Sequence, residues 1–285
     1  FCGRIRAMKT QIKHAIAVVY LFALFVVSAT APSTAFASGT SLKLRYDVHW
    51  GNVKVAEAEA RWRFNDDSFV MMGTSQTIGI SNVLQGFKGS ARLQGRVQNT
   101  LILPEFLPQK LSIGSVYRGK DRTATVVWSD PAPVINSTRE PELDLNKVYP
   151  LKRAFIKGSV DPFTAMLNAL ATIKETRSCG GTHRIYDGLR TAELTLHDLG
   201  KAVLASDRPS AYGGRTIKCG FTSKPTGGHR RDSRWRKKDP KIDDVVIFVA
   251  EIEPGLFIPV RIEIKAFLGK IISRLDMQSV SLNTG

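Results

Sequence analysis

Apolar and polar side chains alternate with a period of two over long stretches of this chain. Between residues 42 and 50 every second residue is apolar, and the residues between them are charged or histidine. Residues 56–64 repeat the pattern with alanine and aromatic residues on one side and glutamate and arginine on the other. Because successive side chains of a β-strand point to opposite faces, this alternation places one face in a core and the other in water. The turn pair Gly51-Asn52 between the runs predicts an antiparallel hairpin.

Further predicted strands follow at short spacing. With 285 residues and 43% apolar content, the chain can form a large buried core. So many strands favour a strongly curled antiparallel sheet or a partly open barrel over one flat sheet. The passage from Pro131 to Pro150 is predicted to be irregular because of its prolines. The further predicted strands are residues 68–76, 87–98, 109–117, 122–129, 183–186, 189–196, 215–221, 243–251, 257–267 and 271–280.

One helix interrupts this strand pattern. Asp161 is a candidate N-cap, and Pro162 suits the first helical position, where its missing N–H is not needed. Apolar residues recur at helical spacing until the helix ends near Arg177, and the chain is therefore predicted to be mainly β with one short packed helix. The residues at that spacing are Phe163, Met166, Leu167, Leu170 and Ile173.

The first 37 residues have the composition of an export signal. They contain four basic residues and no acidic one, then an apolar run at 15–27, then the small-x-small string Ala35-Phe36-Ala37. The apolar run is shorter than the roughly 20 residues that cross a bilayer. We therefore predict a signal peptide over 1–37 that is cleaved after Ala37, a periplasmic location and no transmembrane segment in the mature protein. An uncleaved N-terminal anchor is the alternative.

The cysteines point to one disulfide bond. Cys2 lies in the predicted leader, so the mature chain keeps Cys179 and Cys219. Two cysteines in an oxidising compartment are expected to pair. Closing a loop of this length stabilises a fold by roughly 4 kcal/mol in the chain-entropy model.

Several strings in this order resemble a family of bacterial exported proteins, domain-of-unknown-function family 3108. The resemblance covers nearly all of residues 42–280. Because no Ser/Gly-rich linker divides the chain, residues 38–285 are expected to form one β-rich domain, and two sub-sheets on either side of Pro131–Pro150 are the alternative. It implies an exported protein and supplies neither an activity nor catalytic residues. The strings are Tyr46-Asp47-Val48-His49-Trp50-Gly51, Asp161-Pro162-Phe163-Thr164-Ala165-Met166-Leu167, Cys179, Tyr186-Asp187-Gly188-Leu189-Arg190, Cys219, Pro259-Val260-Arg261-Ile262 and Leu268-Gly269.

A basic segment at 224–241 is predicted to be a long hairpin loop. It has eight basic and two acidic residues, in a chain whose formal net charge is +16. Such a loop attracts lipid head groups or anionic envelope polymers through a salt-dependent field, and predicted export argues against nucleic acid. The alternative is a solvated loop that only adds solubility. The candidate surface-binding residues are Arg230, Arg231, Arg234, Trp235, Arg236, Lys237 and Lys238.

A face of small residues is a second candidate site. Ala56, Ala58 and Ala60 alternate on one strand and leave room above a curled sheet. That room can hold the predicted helix, which is the ordinary core arrangement, or an apolar ligand. The flanking candidate ligand-binding residues are Trp50, Trp62 and Phe64.

The sequence supports a binding protein better than an enzyme. There is no Gly-x-Ser-x-Gly string, and we predict no catalytic residue, metal site or cofactor. Glu57 and Glu59 have the spacing of a carboxylate pair, but Arg61 and Arg63 follow on the same face and predict an exposed charge ladder. We therefore expect a non-enzymatic envelope binding or carrier protein for an apolar or anionic amphiphilic ligand. The alternatives are an enzyme acting on envelope polysaccharide and an envelope assembly factor.

Overall fold

The computed structural model describes residues 39–284, except 101–102, 130–133, 143, 145, 232–240 and 267–268. The predicted signal peptide and its cleavage site lie outside the described residues. Fourteen strands are present in the described part: β1 Thr40–Trp50, β2 Val53–Phe64, β3 Ser68–Thr77, β4 Phe87–Asn99, β5 Pro104–Tyr117, β6 Lys120–Ser129, β7 Val134–Glu140, β8 Thr182–Tyr186, β9 Thr191–Leu204, β10 Gly214–Gly227, β11 Val245–Glu253, β12 Leu256–Ala266, β13 Gly269–Leu275 and β14 Ser281–Asn283.

These strands form one antiparallel sheet. Its order is β7-β6-β5-β4-β3-β2-β1-β13-β12-β11-β10-β9-β8, and β14 also pairs with β1. The hydrogen-bonded order starts at β7 and ends at β8, so the sheet curls without closing. This confirms the predicted mainly β fold with a strongly curled, partly open sheet.

Three helices accompany the sheet in the described residues. The predicted helix is α3, Pro162–Thr176, preceded by the short helices α1, Ile80–Gln85, and α2, Arg153–Ile156, which were not predicted. Asp161 caps α3 as expected, because its Oδ1 accepts hydrogen bonds from the backbone N–H of Phe163 at 2.8 Å and of Thr164 at 3.1 Å. Side chains on several sides of α3 are buried, so the helix lies inside the curl, against β5, β8 and β12.

The bonding register explains how the core is filled. One row of large side chains runs across six neighbouring strands, each residue directly opposite the next. All of them are buried, and they close one end of the space between the sheet and α3. This row consists of Leu42, Trp62, Met71, Leu93, Leu111 and Val126.

The predicted disulfide is present. Cys179, which follows α3, is bonded to Cys219 on β10, and their Cα atoms lie 5.6 Å apart. The bond ties the end of the helix to the sheet. Both cysteines are buried.

Strand β7 corrects the prediction that the passage from Pro131 to Pro150 is irregular. Residues Val134–Glu140 pair with β6 over seven positions. Pro131 and Pro133 precede the strand and Pro141 and Pro150 follow it, so no proline interrupts it. The segment itself contains β-branched residues, which favour a strand wherever a neighbour is available to pair with.

Side chains bridge the open edge of the sheet. The hydroxyl groups of Ser137 on β7 and Tyr186 on β8 lie 2.7 Å apart. Trp128 on β6 donates its indole N–H to the carbonyl oxygen of Ser159 at 3.0 Å. The turn between β8 and β9 packs on β6, where a Cβ at Gly188 would lie 2.9 Å from Val126 Cγ2. We call this side-chain junction the seam.

Candidate ligand cavity

A cavity of about 660 Å³ lies between the sheet and α3. Its sheet wall consists of two adjacent rows of mostly small residues, one row beyond the large core residues. The register aligns these residues across β2, β3, β4 and β5. Since every position but Ile113 carries glycine, alanine or serine, the wall recedes and leaves open space. The rows are Ala60, Gly73, Ala91 and Ile113, and Ala58, Ser75, Gly89 and Ser115.

These two rows, here called the lane, are flanked by large side chains on both sides. Trp62, Met71 and Leu93 form one side, each less than 5% exposed. The aromatic rings of Phe87 and Tyr117, which are directly opposite each other, stand on the other side. The sheet wall therefore has the shape of an apolar trough.

The helix and a turn supply the opposite wall. Phe163 and Met166 come from the first turns of α3, which the Asp161 cap positions. Leu189 comes from the turn between β8 and β9. Across the cavity, Tyr46 donates its hydroxyl hydrogen to the carbonyl oxygen of Pro259 at 2.8 Å, and burial raises the pKa of Tyr46. Sheet, helix and turn therefore each form part of the cavity wall, and the cavity is partly open to solvent.

A second cavity of about 110 Å³ lies on another side of α3. It is lined almost entirely by apolar side chains and shares Met166, Pro259 and Ile262 with the first cavity. Met166 is a flexible side chain, and rotation about its bonds would enlarge one cavity at the expense of the other.

Charged side chains gather where the lane reaches the seam. Arg122 on β6 continues the row of Ser115 and lines the cavity, as does Arg190 from the turn. Asp187 lies beside them and also lines the cavity. Arg139 on β7 is directly opposite Ala124, which puts it on the inner face beside Arg122. Burial lowers the pKa of Arg139. One end of the apolar trough is therefore cationic.

The structure places three of the six predicted ligand-binding residues in the cavity wall. Ala58, Ala60 and Trp62 line it. Ala56 faces the same way but lies beyond the cavity, opposite Thr77. Helix α3 fills part of the room above these residues, and the cavity lies beside the helix.

Trp50 and Phe64, which were also predicted to bind a ligand, do not line the cavity. Phe64 is 1% exposed and packs against the rings of Phe69 and Phe106, so it belongs to the core. Trp50 is 45% exposed at the end of β1. A β-bulge after Val48 shifts the register there and ends the regular alternation of faces.

Sequence reasoning missed the small residues of β3, β4 and β5. Gly73, Ser75, Gly89 and Ala91 occur with the same period of two as the alanines of β2. That period is a usable signal, but their alignment into one lane depends on the register between strands. The arginines at the seam gave no local signal.

The basic segment begins later than predicted. Lys224 belongs to β10, which runs to Gly227, and the backbone of Arg231 donates to the carbonyl oxygen of Lys147 at 2.9 Å. Arg230 and Arg231 are exposed, and the guanidinium of Arg231 lies over the ring of Tyr149. The five other candidates, Arg234, Trp235, Arg236, Lys237 and Lys238, lie outside the described residues.

The base of this segment packs against the cavity. A Cβ at Gly228 would lie 2.0 Å from the carbonyl oxygen of Leu189, whose side chain lines the cavity. The backbone of Gly228 donates to the carbonyl oxygen of Tyr149 at 2.9 Å. The root of the basic segment and the turn that walls the cavity are therefore in direct contact.

The predicted charge ladder is present on the outer face. Glu57 accepts a hydrogen bond from Gln76 at 2.8 Å, which is the main cause of its lowered pKa, and one from Lys54 at 3.3 Å. Glu59 lies 2.7 Å from the guanidinium of Arg61. Both carboxylates are thus held by neighbouring polar groups. No helix in the described part of the chain is long and apolar enough to cross a membrane.

The fold and cavity define a class of protein in which a curled antiparallel sheet wraps a buried helix and leaves a ligand-sized space between them. No protein-family model and no curated protein matches this sequence. Among solved structures, the chain is similar to the "Crystal Structure of Beta-barrel-like Protein of Domain of Unknown Function DUF1849 from Brucella abortus". The TM-score is 0.45 at 9% sequence identity, over 87% of this chain and 100% of that chain.

Proposed function

We propose that this protein is a non-enzymatic binding or carrier protein of the bacterial envelope, which holds the apolar chain of an amphiphile in the cavity between the sheet and α3. The observation that carries this proposal is the lane of small residues, aligned across four strands beneath a space of about 660 Å³.

The size of the space argues against a packing defect. Protein interiors are packed as densely as organic crystals and have few voids larger than a water molecule. The cavity falls within the roughly 300 to 1,000 Å³ that is usual for small-molecule sites. Its walls are largely apolar, and the charged side chains Arg122, Asp187 and Arg190 lie together at the seam, which is an arrangement that suits an amphiphile.

The predicted signal peptide, the disulfide and the family 3108 strings support an envelope location. A buried disulfide between Cys179 and Cys219 is stable in an oxidising compartment such as the periplasm. The leader would direct the chain there. Membership of family 3108 is part of the proposal and agrees with an exported β-rich domain.

Organic extraction of the exported protein tests the binding function. Protein purified from its native periplasm is expected to release acyl-chain species, identified by mass spectrometry. Ala58→Leu fills the lane and is expected to reduce the amount bound. Ala56→Leu, on the same strand and face but beyond the cavity, is the matched control. Extracts without a bound amphiphile, or equal loss in both variants, would contradict the proposal.

The basic segment is proposed to keep the protein close to an anionic envelope surface. Its exposed Arg230 and Arg231 and its contact with the cavity turn support this role. Exchanging Arg230, Arg231, Arg234 and Arg236 for Gln is expected to weaken sedimentation with phosphatidylglycerol vesicles at low salt. A control exchanges four exposed outer-face bases, Arg63, Lys88, Arg92 and Lys110. Equal binding by both variants would leave the segment a solvated loop.

An envelope assembly factor is the second candidate, favoured by the open edges of the sheet. β7 and β8 end the hydrogen-bonded order, and a free edge can accept a strand from a partner. Co-purification of one defined partner, lost when Thr138 on β7 is changed to Pro, would support this candidate.

A further inference from the structure

We propose that Arg122 and Arg139 bind the anionic head group, a carboxylate or a phosphate, of an amphiphile whose chain lies in the cavity. This inference rests on the proposed binding function and specifies its ligand class. It assigns a role to two arginines that sequence analysis did not single out.

The strand register places both arginines on the inner face of the sheet. Arg122 is directly opposite Ser115, in the row that begins with Ala58 in the cavity wall. Arg139 is directly opposite Ala124, two residues along β6 from Arg122. Diagonal neighbours of this kind are separated by roughly 7 to 8 Å, within reach of two long side chains that converge on one anion. The pair therefore stands at the seam end of the lane.

The local charges are not balanced. Asp187 is the nearby acid, and its Oδ2 is 3.1 Å from the guanidinium of Arg190. Its Oδ1 accepts backbone hydrogen bonds from Leu189 at 2.8 Å and Arg190 at 2.6 Å. Asp187 is therefore already engaged within its own turn, and Arg122 and Arg139 remain in positive excess beside an apolar cavity.

Neither guanidinium has an ion-pair partner among the described residues. The Nε of Arg139 is buried and its N–H donates to no acceptor among the described residues, although burial disfavours an unsatisfied donor. Arg122 is exposed, which gives an anion access from solvent. A bound anion would supply the acceptor that Arg139 lacks and reduce the repulsion between the two cations.

The chemistry of the side chains suits a head group with several oxygens. Guanidinium is planar, keeps its charge and presents paired N–H donors that match carboxylate and phosphate. With the head group at Arg122, the chain would run along the small residues toward Trp62, which closes the far end of the cavity. The charge selects the head group and the trough holds the chain.

Four probes with a ten-carbon chain, counting the carboxyl carbon of decanoate, test the proposal: decanoate, decyl phosphate, decanol and decyltrimethylammonium. Binding to the purified exported protein is measured by calorimetry and by the fluorescence of its tryptophans. Both anions are expected to bind about tenfold or more tightly than decanol, and the cation more weakly than decanol. A preference for decanoate over decyl phosphate would indicate a fatty-acid-like ligand, and the reverse a phospholipid-like one.

Arg122→Gln and Arg139→Gln are each expected to lose about tenfold in affinity for the anions and to keep their affinity for decanol. Arg63→Gln removes the same charge from the exposed outer face and should change nothing. If decanol binds but the anions have no advantage, or if the two variants match the control, the head-group assignment is wrong. If none of the four probes binds, the proposed function fails together with it.

Discussion

Asn168 on α3 forms a two-way hydrogen bond with the backbone of Phe106 on β5. Its Oδ1 accepts from the Phe106 N–H at 2.8 Å, and its Nδ2 donates to the Phe106 carbonyl oxygen at 3.0 Å. The Asn168 amide thus satisfies the backbone N–H and carbonyl groups of Phe106, as a neighbouring strand would. Phe106 is 1% exposed, so water cannot replace these hydrogen bonds. This pair fixes the depth at which the helix sits in the curl, and with it the room left for the cavity.

Replacing Asn168 with Leu is expected to lower the free energy of unfolding by about 2 to 4 kcal/mol, because both backbone groups of Phe106 lose their partner. Denaturant titration followed by tryptophan fluorescence measures the change. Thr172→Val removes only a side-chain hydrogen bond within α3 and should cost less than about 1 kcal/mol. Equal losses would show that the Asn168 amide has no special part in docking the helix.

Reducing the disulfide should destabilise the fold by roughly 4 kcal/mol, because the unfolded chain loses the constraint between Cys179 and Cys219. The double variant Cys179→Ala with Cys219→Ala should have the unfolding midpoint of the reduced protein, and dithiothreitol should not change that midpoint. Unfolding midpoints with and without the reductant provide the measurement. A wild-type midpoint that reductant leaves unchanged would contradict the expectation.

Gly188→Ala should open the seam. The residue has φ of 84°, and the new Cβ would lie 2.9 Å from Val126 Cγ2. Gly200→Ala is a matched control, since its φ is 81° but no atom lies within 4 Å of the new Cβ. In each variant, alanine at a positive φ lowers the free energy of unfolding by about 1 kcal/mol. In Gly188→Ala the clash with Val126 should lower it by about 1 to 3 kcal/mol more.

Faster amide hydrogen exchange in β7 and β8 of the Gly188→Ala variant would locate that effect at the seam. Identical stability of the two glycine variants would show that the turn does not press on β6.

An ion pair on the outer face, between Asp207 and Arg274, should make the stability of the fold fall in acid; we call it the clamp. Asp207 binds the guanidinium of Arg274 through Nε at 2.9 Å and Nη2 at 2.5 Å, and Arg274 is 7% exposed. These hydrogen bonds are the main cause of the lowered pKa of Asp207. Because the folded-state pKa is below the unfolded value near 3.9, the stabilisation is complete above that value and is lost as pH falls below it.

Asp207→Asn should therefore cost about 2 to 3 kcal/mol at neutral pH, because it leaves a buried guanidinium without its counter-charge, and this difference from wild type should shrink below about pH 4. Denaturation at several pH values checks it. Asp243→Asn breaks an exposed pair with Lys265 and should change the stability far less than Asp207→Asn does. A loss at Asp207 that persists unchanged in acid would refute the clamp.

Local patterns predicted most of the elements. The alternation from Leu42 to Trp50 is a property of the single strand and predicts it without any partner. Asp161 and Pro162 likewise predict the start of α3, since capping involves only neighbouring backbone groups. The pairing of Cys179 with Cys219 followed from having two cysteines in the predicted mature chain.

Patterns within single strands predicted only part of the candidate site. Ala58, Ala60 and Trp62 were found because they share one strand. Gly89 and Arg122 were missed, because their place in the cavity depends on the register of every successive hairpin from β2 to β6, which the pattern within one strand does not give. Trp50 was misplaced because a bulge changes the register next to it.

The sequence by itself determined most of the strands, where the one long helix begins and that two cysteines are available to pair. These features depend on interactions between near neighbours in the chain. Only the tertiary structure decided that small residues from four strands form one trough, that α3 leaves part of it empty and that two arginines stand at its end. The physical reason is that register and closure are set by long-range pairing and packing, which no single stretch of sequence contains.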